Sequence, residues 1–553
     1  MRTGFFGAAL AACIGLAVVA YVFGTHILPP GHTGWMLTGT IGPDPVQYWL
    51  GYSFFKRSPW SIPPGLNPDW GLEIGSSIFY SDSIPVLAFL FKALHPFVEI
   101  SQYWGLWLYA CGALQAWLAF RLIGLATPSL LVRLAGAALF VLQPTLLNRM
   151  GGHFALGGQW LLLAALYLCL TERPRPWLAW AGLATLTALI HAYFVPMVLG
   201  FWAADFLARA LPRDRVWPKL AAEAVAIPGA ALLGLWAAGF FTISAGFAGT
   251  WGGYGQMQLD LLSPFDPPPW GAFLPDLPNL DHMEAGHSYA GLGALLALLG
   301  GAVAFALRPQ PGLMRRWPLA LALLAMLLVA ISHRVAVAGQ VIELFTIPEK
   351  PLELLGALRA SERFFWPLAY TLLLGAIVAL VHALGARRAG PLLALLVAVQ
   401  LVDLQPGFAR LARYFPADAR PVAPLRLADP FWLEAAPRYA RVRLAPTGMQ
   451  ASHWEEVAVY AATLHLPTDA VYLARLDSAK VDALNAATLS RLRSGHHEPG
   501  SLYVLGDATM LEAARQGFDP ARDLLEKFDG MWVLAPGWHA PGGQASATLR
   551  MHR

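Results

Sequence analysis

Charge is what this sequence has least of. Only 13% of its 553 residues are Asp, Glu, Lys or Arg, whereas 57% are hydrophobic, and ordinary soluble domains carry about 25% charged residues. So little charge excludes an ordinary soluble protein and points to a membrane protein. Cysteine is almost missing. Cys13, Cys111 and Cys169 all lie inside apolar runs, which excludes a disulfide framework and a thiolate metal site. The net charge of +4 is modest and the arginines form short scattered clusters, so no nucleic-acid partner is expected. No internal repeat is evident, which leaves inverted-repeat transporter architecture little support.

Long apolar runs are present instead. The first, from Gly4 to Phe23 after Arg2, is long enough to cross a bilayer, and no small-residue cleavage site follows it. It reads as an uncleaved span, with a signal peptide as the rival. In all, about eleven runs approach spanning length, with limits near 4–24, 103–123, 132–147, 157–171, 176–190, 193–210, 219–242, 288–307, 317–333, 364–384 and 390–405. The stretch "SIPVLAFLFKALHPF" is shorter and carries Lys92, so it reads as an interfacial helix. The 21 Trp and 16 Tyr suit two water interfaces.

Placing the N-terminus in the cytoplasm puts Arg121, Arg133, Arg173, Arg175, Arg209, Arg213, Arg215, Lys219, Arg308, Arg315, Arg316, Arg387 and Arg388 in cytoplasmic links, as the positive-inside rule requires. The long loops 25–102, 243–287 and 334–363 and the tail after about residue 406 then face outward. Those outer boundaries collect the unusual polar residues: Asp44, Gln47, Asp69, Glu73, Asp82, His153, Gln159, His191, Tyr193, Glu284, His287, Glu362 and Arg363. Charged groups in a bilayer are costly unless they face a cavity or a partner, so their common level implies one wet external cleft.

Residues 1–405 therefore read as a transmembrane domain with a large first external loop, and 406–553 as a separate soluble domain. In the latter, strand-like "ARVRLAP", "DAVYLARL", "SLYVLGD" and "GMWVLAPG" alternate with helical "EEVAVYAATL" and "SAKVDALNAATLSRL", the pattern of a small α/β domain. It contains no phosphate-binding glycine loop, nucleophile elbow or metal-ligand spacing. Between 243 and 287 a Gly, Pro and aromatic-rich segment reads as an ordered external loop.

The aspartate in "IGPDPVQYWLGYSFF", the second in "IFYSDSIP", the interfacial helix after it and the arginine in "RASERFFWP" together resemble the GT-C superfamily of integral-membrane glycosyltransferases, through an uncharacterised bacterial branch. The resemblance covers roughly residues 1–405. It implies an inverting transfer of sugar from a polyprenyl-phosphate donor to an extracytoplasmic glycan, lipid or protein. Asp44 takes the place of the catalytic base and Asp82 that of the second acidic residue, while Arg363 is placed to hold the donor phosphate. A divalent cation, Mg or Mn, is required by some members only.

The residues themselves permit this chemistry. A carboxylate at a wet boundary takes an acceptor proton, and a guanidinium binds phosphate oxygens in bidentate fashion. Glu362, His191, Tyr193, Glu284, His287, His153 and Gln159 complete the candidate substrate-binding set. Plainer roles compete: Asp44 in a Gly-Pro turn, Asp82 as the N-cap of the interfacial helix, Glu362 and Arg363 paired with each other. The alternative functions are a transporter or flippase for a lipid-linked saccharide and a non-catalytic assembly protein. The Ala, Leu, Arg and Pro bias suits a bacterial inner membrane, with the C-terminal domain in the periplasm.

Overall fold

A computed structural model describes residues 2–211, 217–243, 253–280, 288–309, 316–449 and 451–540. Most of the chain is helical, and a small α/β region lies near the C-terminus. Four helices are long and apolar enough to cross a membrane: Phe5–Phe23, Trp104–Ile123, Pro218–Ala238 and Ser361–Leu384. Two bent pairs, Leu130–Val141 with Pro144–Met150 (51°) and Ala386–Asp403 with Gln405–Tyr414 (52°), raise the number to six if each pair is one span. These helices mark a membrane protein.

The expectation of about eleven spans is therefore corrected. The runs at 288–307 and 317–333 fold as Leu292–Leu307 (16 residues) and Trp317–Ile331 (15 residues), and at 1.5 Å per residue neither reaches about 30 Å. The runs at 176–190 and 193–210 yield helices of 13 and 17 residues. Apolar composition sets burial, whereas helix length also depends on where Pro and Gly fall. Pro144 opens one new helix and Pro406 stands in the first turn of another, each just after the preceding helix ends, where a proline's missing amide leaves no helical hydrogen bond unmade.

The chain divides into two compact units. The first comprises Met1–Trp35, Gln102–Gly234 and Gly246–Ala419. Its first two long helices touch backbone to backbone: a Cβ on Gly15 would lie 2.0 Å from the Gly112 carbonyl oxygen, the close approach that small residues permit between apolar helices. Asp403 is fully buried and is satisfied locally. Its carboxylate accepts from the Tyr289 hydroxyl at 2.7 Å and from the Leu292 and Ala272 amides at 2.9 and 3.1 Å, and so satisfies the first amide of the helix Leu292–Leu307. The segment 334–343 is a hairpin, Arg334–Val337 against Gln340–Glu343. Ala338 and Gly339 turn it with positive φ, as a two-residue hairpin turn requires, and both amides donate to Asp260.

The second unit comprises Met36–Ser101, Leu235–Ala245 and Arg420–Arg553, so much of the long loop after the first apolar helix folds with the α/β region. A mixed four-stranded sheet runs in the order Arg441–Ala445, Ser501–Leu505, Met531–Ala535, Leu524–Phe528. The first two strands are parallel, which demands a crossover; the helices Trp454–Leu464 and Ser478–Ser494 supply it. Asp477 and Asp507 cap Ser478–Ser494 and Ala508–Gly517. Leu492, Met510 and Ala513 then bury against Tyr503 and Leu534 of the sheet.

Loop and domain are joined by backbone and by charge. Thr468 bridges both Trp70 and Val442, and the Gly71 amide donates to the Thr468 carbonyl at 2.8 Å, so residues 70–71 extend the sheet edge. Arg443, 2% exposed, donates to both oxygens of Glu73 at 2.6 and 2.7 Å, to Asp469 at 3.0 Å and to Glu498 at 2.8 Å. Those hydrogen bonds from Arg443 hold the Glu73 carboxyl below its ordinary value.

Candidate functional site

In the second unit, Asp44 is the first residue of the helix Asp44–Phe55, with Pro43 before it and Pro45 after it. Proline is tolerated in a first turn, and a carboxylate there meets the positive helix end. One Asp44 oxygen accepts from the Tyr472 hydroxyl at 3.2 Å, and the Tyr472 ring lies 5.2 Å from that of Trp454. The C-terminal region thus reaches the first candidate aspartate. Tyr472 was not legible in the sequence: no local pattern ties position 472 to 44.

The Asp44 helix is clamped onto the turn that carries Asp82. One turn beyond Asp44, the buried Gln47 side chain donates to the Tyr80 carbonyl at 2.8 Å. Ser83 donates to the Tyr48 carbonyl at 3.3 Å. A Cβ at Gly51 would fall 2.2 Å from the Ser81 hydroxyl, so only glycine lets the two segments meet. The turn itself is strained. Asp82 has φ 53° and Ile84 φ 51°, and the left-handed region is costly for a β-branched residue. Asp82 does not serve as the N-cap of the helix Pro85–Leu94, which corrects that alternative; Ile84 holds the position and offers no side-chain cap. The helix Pro85–Leu94 forms as expected, but Lys92 is buried, 3.9 Å from the Phe55 ring centroid and 4.6 Å from that of Trp60, and donates to the Pro59 carbonyl. Asp69 and Glu73 are structural: Asp69 accepts from Ser58 at 2.8 Å, and Glu73 belongs to the Arg443 network.

In the first unit, several of the remaining candidates come together. Arg363 lies 4.5 Å from the Tyr193 ring centroid, and the Tyr193 hydroxyl accepts from the Ala360 amide at 3.0 Å. His191 Nδ1 accepts from the Tyr193 amide at 3.1 Å, which places the proton of a neutral imidazole on Nε2. Burial, with the Arg363 charge beside it, lowers His191 to about 3, so the ring is neutral throughout the physiological range. Glu362 pairs with Arg149 at 3.3 Å, both almost fully buried, and Arg149 stands 6.0 Å from the Trp366 ring. Glu362 therefore does not pair simply with its neighbour.

Arg149 was missed by sequence reasoning. Its signal was a basic residue at the end of an apolar run, four positions before His153. Gln159 is a structural pin: it accepts from the Tyr370 hydroxyl at 2.5 Å and donates to the Thr145 carbonyl at 3.2 Å. His153 precedes the short turn Phe154–Gly157. Glu284 and His287 lie outside the described residues. Among the described residues, no group of three or more His, Cys, Asp or Glu side chains converges as a metal site would need.

Residues 12–405 match a family described as Domain of unknown function (DUF6311), and residues 431–536 match the DUF6311 C-terminal domain. The chain belongs to the DUF6311 family. The two DUF6311 matches thus cover both the apolar helices and the α/β sheet. No curated protein matches the chain.

Proposed function

We propose that this DUF6311 chain is a GT-C-type membrane glycosyltransferase that moves a sugar from a polyprenyl-phosphate donor to an extracytoplasmic acceptor with inversion. The carrying observation is the clamped pair of segments in the first loop: an aspartate opening a helix soon after the first span, braced on a strained turn that presents a second aspartate. Strain of this kind is held only where surrounding structure enforces it, and it clusters at functional sites.

In this reading Asp44 accepts the proton of the acceptor hydroxyl while the bond from anomeric carbon to phosphate oxygen breaks. Tyr472 fixes the carboxylate through one oxygen. The departing phosphate takes up negative charge, and the resemblance to GT-C enzymes gives Arg363 the part of offsetting it; within the first unit His191, held neutral with its proton on Nε2, is a donor beside that arginine. Arg149 positions Glu362 and adds a second buried guanidinium. The C-terminal α/β region acts as a positioning element. The compartment in this reading is the bacterial inner membrane, with the loop and the α/β region periplasmic.

A transporter or flippase for lipid-linked saccharides is the second reading, favoured by one observation: the two bent helix pairs, which place Arg149 and Asp403 at broken spans. Sugar release and transfer from a panel of polyprenyl-phosphate sugars by the purified protein separates the two. Turnover that disappears in Asp44→Asn, with donor binding kept, supports the enzyme. Transport of lipid-linked saccharide across vesicles without bond cleavage supports the transporter.

A further inference from the structure

A groove of about 460 Å³ opens along three helices of the first unit, Trp104–Ile123, Trp160–Leu170 and Pro176–Ala188. It is far from uniform. At one end stand Arg121, in the last turn of its helix, and Arg173, just ahead of the next. Between them is Tyr167, whose hydroxyl accepts from Arg121 at 2.8 Å. Both guanidinium carbons lie 5.4 Å from the Tyr167 ring centroid, and Arg121 also faces Trp117 at 5.9 Å. Both arginines are exposed, and among the described residues neither has a carboxylate within ion-pair distance. Away from this basic end the groove is walled by apolar side chains from Leu178 to Leu186, a length of about 12 Å along the helix.

We infer that this groove binds one anionic glycerophospholipid, the phosphate held by Arg121 and Arg173 and the upper part of an acyl chain lying along Leu178 to Leu186. Each half of the site needs the other half of the ligand. Two guanidiniums steadied over one aromatic ring suit a phosphate monoanion, and an apolar trough leading away from it suits a hydrocarbon chain. A soluble anion would leave the trough empty, and a zwitterionic lipid would bring a choline or ethanolamine charge against the arginines. Basic pockets between membrane helices recognise lipid headgroups on this principle. Gly182 lines the trough, and a Cβ placed there meets nothing within 4 Å, so the floor is open where the chain would pass.

The test is native mass spectrometry of the purified full-length protein in detergent, titrated with phosphatidylglycerol and, separately, phosphatidylcholine of the same acyl composition. Wild type is expected to retain one phosphatidylglycerol with an affinity about thirtyfold above that for phosphatidylcholine, since each basic group near an anionic lipid contributes about 1 kcal/mol. In Arg121→Gln/Arg173→Gln the headgroup preference should vanish. Gly182→Leu should weaken both lipids by filling the trough; replacing a helical glycine favours the fold, so loss of binding there is not loss of structure. Equal affinity of wild type for the two lipids, or a preference that survives the double arginine substitution, overturns the proposal. So does displacement of phosphatidylglycerol by inorganic phosphate alone.

Discussion

Replacing Arg443 with methionine should cost the second unit more than any change to its individual partners. The guanidinium is buried and serves three carboxylates: Asp469, equally buried; Glu498, one-fifth exposed; and Glu73, half exposed. Arg443→Met strands Asp469 in a site built for its counter-charge, and breaking a buried pair from one side costs about 3–5 kcal/mol. For a compact unit of about 200 residues this lowers Tm by about 6–20 °C. Glu73→Gln removes a half-exposed partner and should cost less than about 1 kcal/mol. Arg443→Met/Asp469→Asn should recover part of the loss, because the stranded charge is gone. Thermal unfolding of the full chain in detergent, followed by tryptophan fluorescence, reads all three. Because Arg443 lowers the folded-state value of Glu73, that pair's contribution is complete above the ordinary Glu range and is lost as pH falls through the lowered value. An Arg443→Met shift no larger than that of Glu73→Gln would refute the reasoning.

Three further outcomes follow from the same geometry. Gly51→Ala puts a methyl into the Ser81 hydroxyl and should destabilise by about 1–3 kcal/mol, visible as a lower Tm; a Tm within 1 °C of wild type would mean the clamp is loose. Tyr472→Phe should lower kcat about tenfold with little change in KM, because a hydrogen bond to a charged group contributes about 1.5 kcal/mol or more; a change in KM alone would place Tyr472 in binding. Burial lowers Lys92 to about 8, so between about pH 8 and 10 the unfolded chain holds the proton that the folded state has released, and stability rises across that window. Lys92→Met should flatten this rise when Tm is compared at pH 7.5 and pH 9.5, and an unchanged slope would contradict the assignment.

The membrane character and the α/β region were legible because they rest on local signals: charge-poor runs, and alternation of strand-like and helix-like segments. The number of spans was not, because hydropathy does not record where a helix ends, and Pro144 breaks the apolar stretch 132–147 that reads as a single span. Asp44, Asp82, Arg363 and His191 stood out as polar residues at the ends of apolar runs. Arg149 carried the same signal and was passed over, and Tyr472 carried none, although each touches a residue that did stand out. Their partners lie 213 and 428 positions away, and nothing local marks a pairing of that span. Glu73 looked like a member of the cleft but belongs to the fold, since Arg443, which claims it, comes from a strand 370 residues later.

The most direct test of the account is turnover of polyprenyl-phosphate sugars by the purified full-length chain, compared with Asp44→Asn under matched lipid and detergent. The account predicts transfer or sugar release by wild type and a fall of at least about a hundredfold in Asp44→Asn, with its Tm and donor binding preserved. Equal turnover by the two proteins, or no bond cleavage by wild type with any donor while lipid-linked saccharide is still bound, would contradict it.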